Sequence, residues 1–297
     1  MRIKPLLLLS VLIITTAVFA ACQSSDNQQV VTVTALDFAF EAPDELPSGW
    51  TTFRVRNAGE QEHFLILWRL PKGSTFEDYA SQIAPAFQSI MEPYREGAVD
   101  RDETVTTLGG LLPEWYWSVL PAGGVGLTAP GGVAQTTVNL EPGHYVMECY
   151  VKTPEGVFHA MLGMLHPLTV TDVVSGATAP ESDIEMVLTN YEIATEGVLT
   201  AGEQVVRVQV MDDPEGLLKH DVHLVRLAEG TGVDDVVAWM DWLDALMAPA
   251  PIEFMGGAED MPAGNTAFIT LDLEPGTYAW VSESYGSRGM TKQFTVE

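Results

Sequence analysis

The sequence predicts an all-β chain made of two tandem β-sandwiches, each with one short helical insertion. Three observations predict it. Short alternating runs of Val, Thr and Leu are broken at intervals by Gly and Pro, the pattern of half-buried strands joined by turns. His63-Phe-Leu-Ile-Leu-Trp-Arg-Leu70-Pro-Lys-Gly73 aligns without gaps against His220-Asp-Val-His-Leu-Val-Arg-Leu227-Ala-Glu-Gly230. The turn Leu140-Glu-Pro-Gly-His-Tyr145 is matched by Leu273-Glu-Pro-Gly-Thr-Tyr278.

From the N-terminus, Arg2 and Lys4 precede an apolar stretch, Leu6 to Val18, that is too short to read as a permanent membrane span. It ends in Phe19-Ala20-Ala21-Cys22, which resembles a bacterial lipobox, so residues 1–22 are expected to be a lipoprotein signal and Cys22 the lipidated residue. An ordinary secretory signal cut nearby is the alternative. Residues 23–29 are polar and aperiodic and suit a tether. These readings imply a bacterial cell-envelope protein, anchored through lipid and facing the periplasm or the exterior.

The body divides into residues 30–173, a linker at 174–182, small and polar with a Pro, and residues 183–297. After each copy of the His-led strand a helix is expected. In the first, Phe76, Tyr79, Ala80, Ile83, Phe87 and Ile90 keep helical spacing, with Ser74 and Glu77 as a capping box and Pro85 ending or bending it. In the second, Val233, Val236, Val237, Met240 and Leu243 do so, with Thr231 and Asp234 at the start. Gly109-Gly110 is read as the counterpart of Gly256-Gly257, which makes Leu111 to Gly132 an insertion confined to the first copy and holding Trp115, Tyr116 and Trp117. The closing strands agree as well: Gly163-Met164 with Leu168-Thr-Val170 answers Gly289-Met290 with Phe294-Thr-Val296.

Charge narrows the function classes. A net charge of −27 repels nucleic acid and anionic headgroups. Solubility in a salty habitat and docking to a basic protein partner both remain open. Of the two cysteines, Cys22 is accounted for by lipid, leaving Cys149 as a lone thiol in an exported chain. Such a thiol persists when it is buried or bound.

An Asn-Ala-Gly turn (Asn57 to Gly59) precedes His63. Later come Tyr145-Val-Met-Glu-Cys149, then His159-Ala-Met-Leu-Gly-Met164 and a closing Leu-Thr-Val strand. Residues 30–173 resemble the cupredoxin, or blue-copper, family. The resemblance implies tandem Greek-key sandwiches and one type 1 copper in the first copy, held by His63, Cys149, His159 and Met164. The pleat agrees with it, since Tyr145, Met147 and Cys149 share one strand face and His63 shares another with Leu65 and Leu67. Two imidazoles, a thiolate and a weak thioether suit copper that cycles between two oxidation states. The segment from Tyr150 to Phe158, turning at Pro154 and Gly156, must fold back to deliver His159, and Glu148 and Glu155 are expected to be solvated. His166, two residues past Met164 on the same face, is the competing imidazole, and His144 is expected to face away from Cys149 and be exposed. The second copy keeps His220 and Met290 but has Ser282 in place of the cysteine and no His in residues 283–289, and His223 does not repair it.

Electron transfer is therefore the leading expectation, with a redox protein bearing a basic face as partner. Copper capture or delivery, using Met147, Met161 and Met164 as soft sulfur, is the second. A non-metal adhesion or assembly module is the third. The sequence shows no His-x-His motif and no recognisable nucleophilic triad or phosphate-binding loop, so no enzymatic activity is expected.

Overall fold

A computed structural model describes residues 28–214 and 218–297. The lipobox, Cys22 and the expected signal lie outside the described residues. The chain is all-β, as expected, and its two halves repeat one succession of strands in tandem. The first half contains β1 (Val30–Leu36), β2 (Ala39–Glu41), β3 (Glu45–Asn57), β4 (His63–Arg69), β5 (Leu120–Thr128), β6 (Val133–Leu140), β7 (Gly143–Glu148) and β8 (Leu165–Val174). The second repeats the succession with β9 (Ile184–Thr189), β10 (Glu192–Glu196), β11 (Gly202–Val210), β12 (His220–Arg226), β13 (Glu253–Met261), β14 (Thr266–Leu273), β15 (Gly276–Val281) and β16 (Thr291–Val296).

The pairings repeat too. Parallel β1·β3, antiparallel β3·β6, β4·β5, β4·β7 and β7·β8 recur as β9·β11, β11·β14, β12·β13, β12·β15 and β15·β16. Strand β3 serves both layers: Glu45–Ser48 pairs with β8, and Gly49–Arg56 pairs with β6. Alternation drives the packing. In β1, Val31, Val33 and Ala35 are buried while Val30 and Thr32 are not, as one sheet face turned to a core requires.

The halves join edge to edge in both layers, through β6·β14 and β5·β13. Thr136 and Ile269, the fourth residues of β6 and β14, pair with each other. Val125 and Ala258, each following a Gly-Gly pair, do the same. Antiparallel pairing of like with like is the signature of a two-fold relation, here within one chain. One buried apolar cluster runs through both halves.

That geometry corrects the alignment of the glycines. Gly123-Gly124, not Gly109-Gly110, is the counterpart of Gly256-Gly257: φ is +76° and +145° in one pair, +99° and +145° in the other. A Cβ on Gly124 would sit 1.9 Å from the Leu65 carbonyl oxygen, and one on Gly257 2.1 Å from that of Val222. Gly109 and Gly110 instead lie in a helix with open space around them. The material peculiar to the first half is therefore α2 (Met91–Arg95), α3 (Arg101–Leu111) and the 3-10 turn Glu114–Ser118, not residues 111–132.

Helix α1 (Phe76–Ser89) starts one residue later than expected. Thr75 accepts from the Asp78 amide at 3.1 Å, and Asp78 accepts from the Thr75 amide at 2.9 Å, completing the box in place of Ser74 and Glu77. Pro85 does not end it, because burial of Tyr79, Ile83, Ala84 and Ala86 offsets the lost backbone bond. In the second half α4 (Val233–Trp239) is shorter, and the Gly232 amide donates to Asp235 at 2.8 Å in place of a Thr231–Asp234 start.

The two glycine pairs separate by mutation. Gly124→Ala is expected to cost more than about 4 kcal/mol or prevent folding, from backbone overlap and a strained φ. Gly110→Ala is expected to be neutral or stabilising by up to about 1 kcal/mol. Urea denaturation measures both; similar values for the two variants would refute the assignment.

Candidate metal centre

Strand β4 lies between β5 and β7, and residues 63–67 are all buried. His63 opens the strand. Cys149 follows the last residue of β7, and His159 opens a 3-10 turn, His159–Leu162, that precedes β8. The register Leu67↔Met147 puts the odd-numbered residues of both strands on one face. That face carries His63 and Cys149.

The intervening segment folds back as the turn residues require. The Gly156 amide donates to the Thr153 carbonyl at 2.8 Å, Thr153 to Val157 at 2.8 Å, and His159 to Val151 at 2.8 Å. The result brings three side chains together. Cys149 Sγ lies 3.7 Å from His63 Nδ1 and 3.6 Å from His159 Nδ1, and all three ligand atoms fall within 4.8 Å of one another. All three residues are 0% exposed. Among the described residues no other group of three His, Cys, Asp or Glu converges this closely.

These separations can be tested against a metal. Bonds of about 2.0 Å to nitrogen and about 2.3 Å to sulfur, set about 110–120° apart, place N and S about 3.5–3.8 Å from each other. The observed separations fall inside that interval. The tautomers fit as well. His63 Nε2 bonds Asp37 Oδ1 at 2.7 Å, and His159 Nε2 bonds Gln61 Oε1 at 3.0 Å. With both Nε2 atoms donating to oxygen, each Nδ1 presents a lone pair inward.

The charge states agree. Burial pulls the His159 pKa down to about 3, and the neighbouring His63 pulls the same way. Burial also lowers His63, with Asp37 opposing. Both imidazoles are therefore held neutral, the ligating form. Burial pushes the Cys149 thiol well up, although the Phe64 and Val151 amides hydrogen-bond its sulfur. Among the described residues, the largest influences on it include no cationic side chain. A metal ion is the counter-charge such a thiol needs to ionise.

Met164 is buried, and its carbonyl accepts from the Cys149 amide at 3.2 Å while its own amide donates to His159 O at 3.0 Å. It is thus tied by backbone to two members of the cluster. His144 is exposed, and His166 lies 3.1 Å from Asp44, away from the cluster. Met147 is buried and Met161 is 38% exposed.

Residues outside the expected ligand set support the cluster, and two of them, Asp37 and Gln61, went unnoticed in the sequence. Asp37 Oδ2 accepts from the Glu60 amide at 2.7 Å while its other oxygen holds His63. Gln61 orients His159. Asn57 donates to Gln61 O at 2.7 Å and Thr128 O at 2.8 Å, and accepts from the Gly59 amide at 3.0 Å. A Cβ on Gly59 would lie 2.2 Å from Asp37 Oδ1, so only glycine leaves room for the Asp37–His63 bond. The Asn-Ala-Gly turn was the available signal; Asp37 and Gln61 carried none.

Lys152 fastens the returning segment to the second half. Its amide donates to Leu246 O and its carbonyl accepts from the Ala248 amide, both at 2.9 Å. Its buried ammonium donates to Trp242 O at 2.8 Å and Leu243 O at 3.1 Å, and burial draws its pKa down to about 8.

In the second half the corresponding place is filled differently. The Ser282 amide donates to Met290 O at 3.1 Å, as Cys149 does to Met164, but the Ser282 hydroxyl donates to Asp221 at 2.6 Å. Tyr285 occupies the position of His159: its ring lies 5.6 Å from His220, edge-on, as His159 lies 5.0 Å from His63. Its hydroxyl turns away to Leu218 O at 2.7 Å. His220 Nε2 is 3.1 Å from Asp212, and Nδ1 has no partner among the described residues. His223 accepts from the Leu127 amide at 3.0 Å and faces Asp221 at 3.1 Å, tying the halves together instead of completing a site.

One expectation fails on the opposite face of β7. Glu155 is exposed, but Glu148 is only 5% exposed. It accepts from Trp68 Nε1 at 2.6 Å and from the Tyr79 hydroxyl at 2.7 Å, and burial raises its pKa to about 7. The cause is α1, which roofs this face and removes water from a position that reads as exposed.

No protein-family model matches the chain, and no curated protein does. Among solved structures it is similar to the auracyanin of Roseiflexus castenholzii (19% identity, TM-score 0.28, 48% of this chain and 98% of that one). It is also similar to auracyanin A, a "blue" copper protein of Chloroflexus aurantiacus (21%, 0.26, 48% and 99%). A blue copper oxidase from Nitrosomonas europaea is a third (15%, 0.25, 91% and 86%). Likeness at these levels says nothing of what this chain binds or does.

The Glu148 environment has a measurable consequence. Its folded pKa, about 7, lies above the ordinary 4.5, so its contribution is fully present below about pH 4.5 and is lost as pH rises towards 7. The shift corresponds to about 3 kcal/mol. In Glu148→Gln the amide oxygen can still accept from Trp68 and Tyr79. The metal-free variant is therefore expected to match the parent within about 1 kcal/mol at pH 5 and to exceed it by about 3 kcal/mol at pH 8, read by urea denaturation. Equal stability at both pH values would refute burial of an acid at this position.

Proposed function

We propose that this chain binds one copper ion in its first half as a type 1 centre and passes single electrons through it. The observation that carries the proposal is the convergence of two inward-facing Nδ1 lone pairs and one buried thiol at separations a single ion would impose. His63, Cys149 and His159 would hold the ion through two imidazole nitrogens and the thiolate, and Met164 would add a weak thioether. When bound, copper supplies a one-electron couple tuned by its ligands and their surroundings. The protein's part is to hold the imidazoles by Asp37 and Gln61, exclude water, and keep the ligand positions nearly unchanged between oxidation states. Three ligands at 0% exposure suit retention better than exchange, which favours electron transfer over copper capture or delivery.

The wider reading belongs to the same proposal. Residues 30–173 are the copper-bearing domain, 174–182 the linker and 183–297 a domain that has lost the centre and serves as scaffold. Cys22 anchors the chain to the cell envelope through lipid, and a redox protein with a basic face approaches a chain whose formal net charge is −27. The role is binding and electron transfer, not catalysis.

Purified protein loaded with one equivalent of Cu(II) is expected to show the intense visible thiolate-to-copper band and a reversible one-electron wave. Cys149→Ser is expected to lose the band, and Met164→Leu to keep it with a raised reduction potential. No visible band at stoichiometric copper would reject the type 1 reading. A Cu(I) affinity far above that for Cu(II), without a reversible wave, would turn the assignment to copper capture.

A further inference from the structure

The helices confined to the first half take no part in holding the metal ligands, yet they enclose a cavity of about 700 Å³ against the second half. The volume is in the range of small-molecule sites. Aromatic rings dominate its wall: Phe87 lies 6.0 Å from Trp242 and 6.4 Å from Tyr116, both edge-on. Trp117, half exposed, stands at the mouth. The cavity lies on the face of β7 opposite the metal cluster, where Glu148 and Tyr150 flank Cys149 in sequence and point the other way.

Among the described residues, two carboxyl oxygens in this wall accept no hydrogen bond. Glu148 is buried, and both its hydrogen bonds, from Trp68 and Tyr79, end on Oε2; Oε1 has none among the described residues. Glu283 Oε1 is sealed from solvent and also unpartnered, its Oε2 receiving only the Tyr150 hydroxyl at 3.4 Å. The two cations that line the cavity are engaged elsewhere. Lys219 Nζ lies 3.5 Å from Asp213, and the Arg288 guanidinium sits 4.7 Å over the Tyr191 ring. A carboxyl left unpaired in an apolar wall gains most from a positive charge brought by a ligand. Aromatic faces add to the same preference, and the acidic surface concentrates cations near the mouth.

We propose that this cavity binds a monovalent organic cation with an aromatic body, an arylalkylamine, its ammonium on Glu148 Oε1 and its ring among Phe87, Tyr116 and Trp242. The site needs no metal and stands whether or not the copper reading holds. It gives the Trp115–Trp117 segment and its helices a role that the metal cluster leaves unexplained.

Tryptamine and its uncharged analogue 3-propylindole test the proposal by isothermal titration calorimetry on the purified protein, with and without copper. Tryptamine is expected to bind at one site per chain, at least tenfold more tightly than 3-propylindole. Glu148→Gln is expected to lose that preference. Ala84→Phe, which fills the cavity from α1, is expected to weaken tryptamine at least tenfold, with circular dichroism and the thermal midpoint confirming that both variants fold. Absence of tryptamine binding, equal binding of the uncharged analogue, or undiminished binding in Ala84→Phe would each overturn the proposal.

Discussion

The antiparallel register of β4 on β7 is the constraint on which the rest depends. With Leu67 opposite Met147, His63 and Cys149 fall on the face turned into the sandwich, and Trp68 and Glu148 on the face turned to the helices. A slip of one residue would send the thiol to the aromatic cavity and a carboxyl towards the imidazoles. One pairing therefore creates two chemically distinct compartments on the two sides of a single strand. The flanking sheet holds that register through β5 on one side and β8 on the other.

The second half repeats the strand framework of the first without such a cluster among its described residues. The strand succession, the turn and the backbone bond from residue 282 to Met290 are kept. A hydroxyl stands in place of the sulfur, the Tyr285 ring in place of one imidazole with its polar end on Leu218, and two residues in place of the nine that separate Cys149 from His159. The second half nevertheless acts on the cluster of the first. Through Lys152 it grips the segment between Cys149 and His159 at four hydrogen bonds, and through the Leu127–His223 bond it closes the seam between the halves.

Some sequence readings failed for a common reason. The capping box and the glycine pair were each misplaced because neighbouring residues of the same type offered equivalent local patterns: Ser74 beside Thr75, and Gly109-Gly110 beside Gly123-Gly124. Only the sheet pairing distinguishes a glycine pressed against a carbonyl from one on an open helix. Glu148 was misread because a glutamate at a strand end is ordinarily solvated, and nothing in its own segment announces the helix above it.

Strand period, turn chemistry and the internal repeat are properties of contiguous residues, so the sequence alone determined the all-β class, the duplicated strand order and the side chains worth bringing together. Position in space is another matter. Asp37 lies 26 residues from the imidazole it orients and Gln61 98 from the one it holds, so no local pattern could nominate either. The neutrality of the imidazoles, the elevated acid behind them and the cavity between the halves arise from exclusion of water by distant elements. Desolvation has no signature in a linear chain; tertiary packing alone decided it.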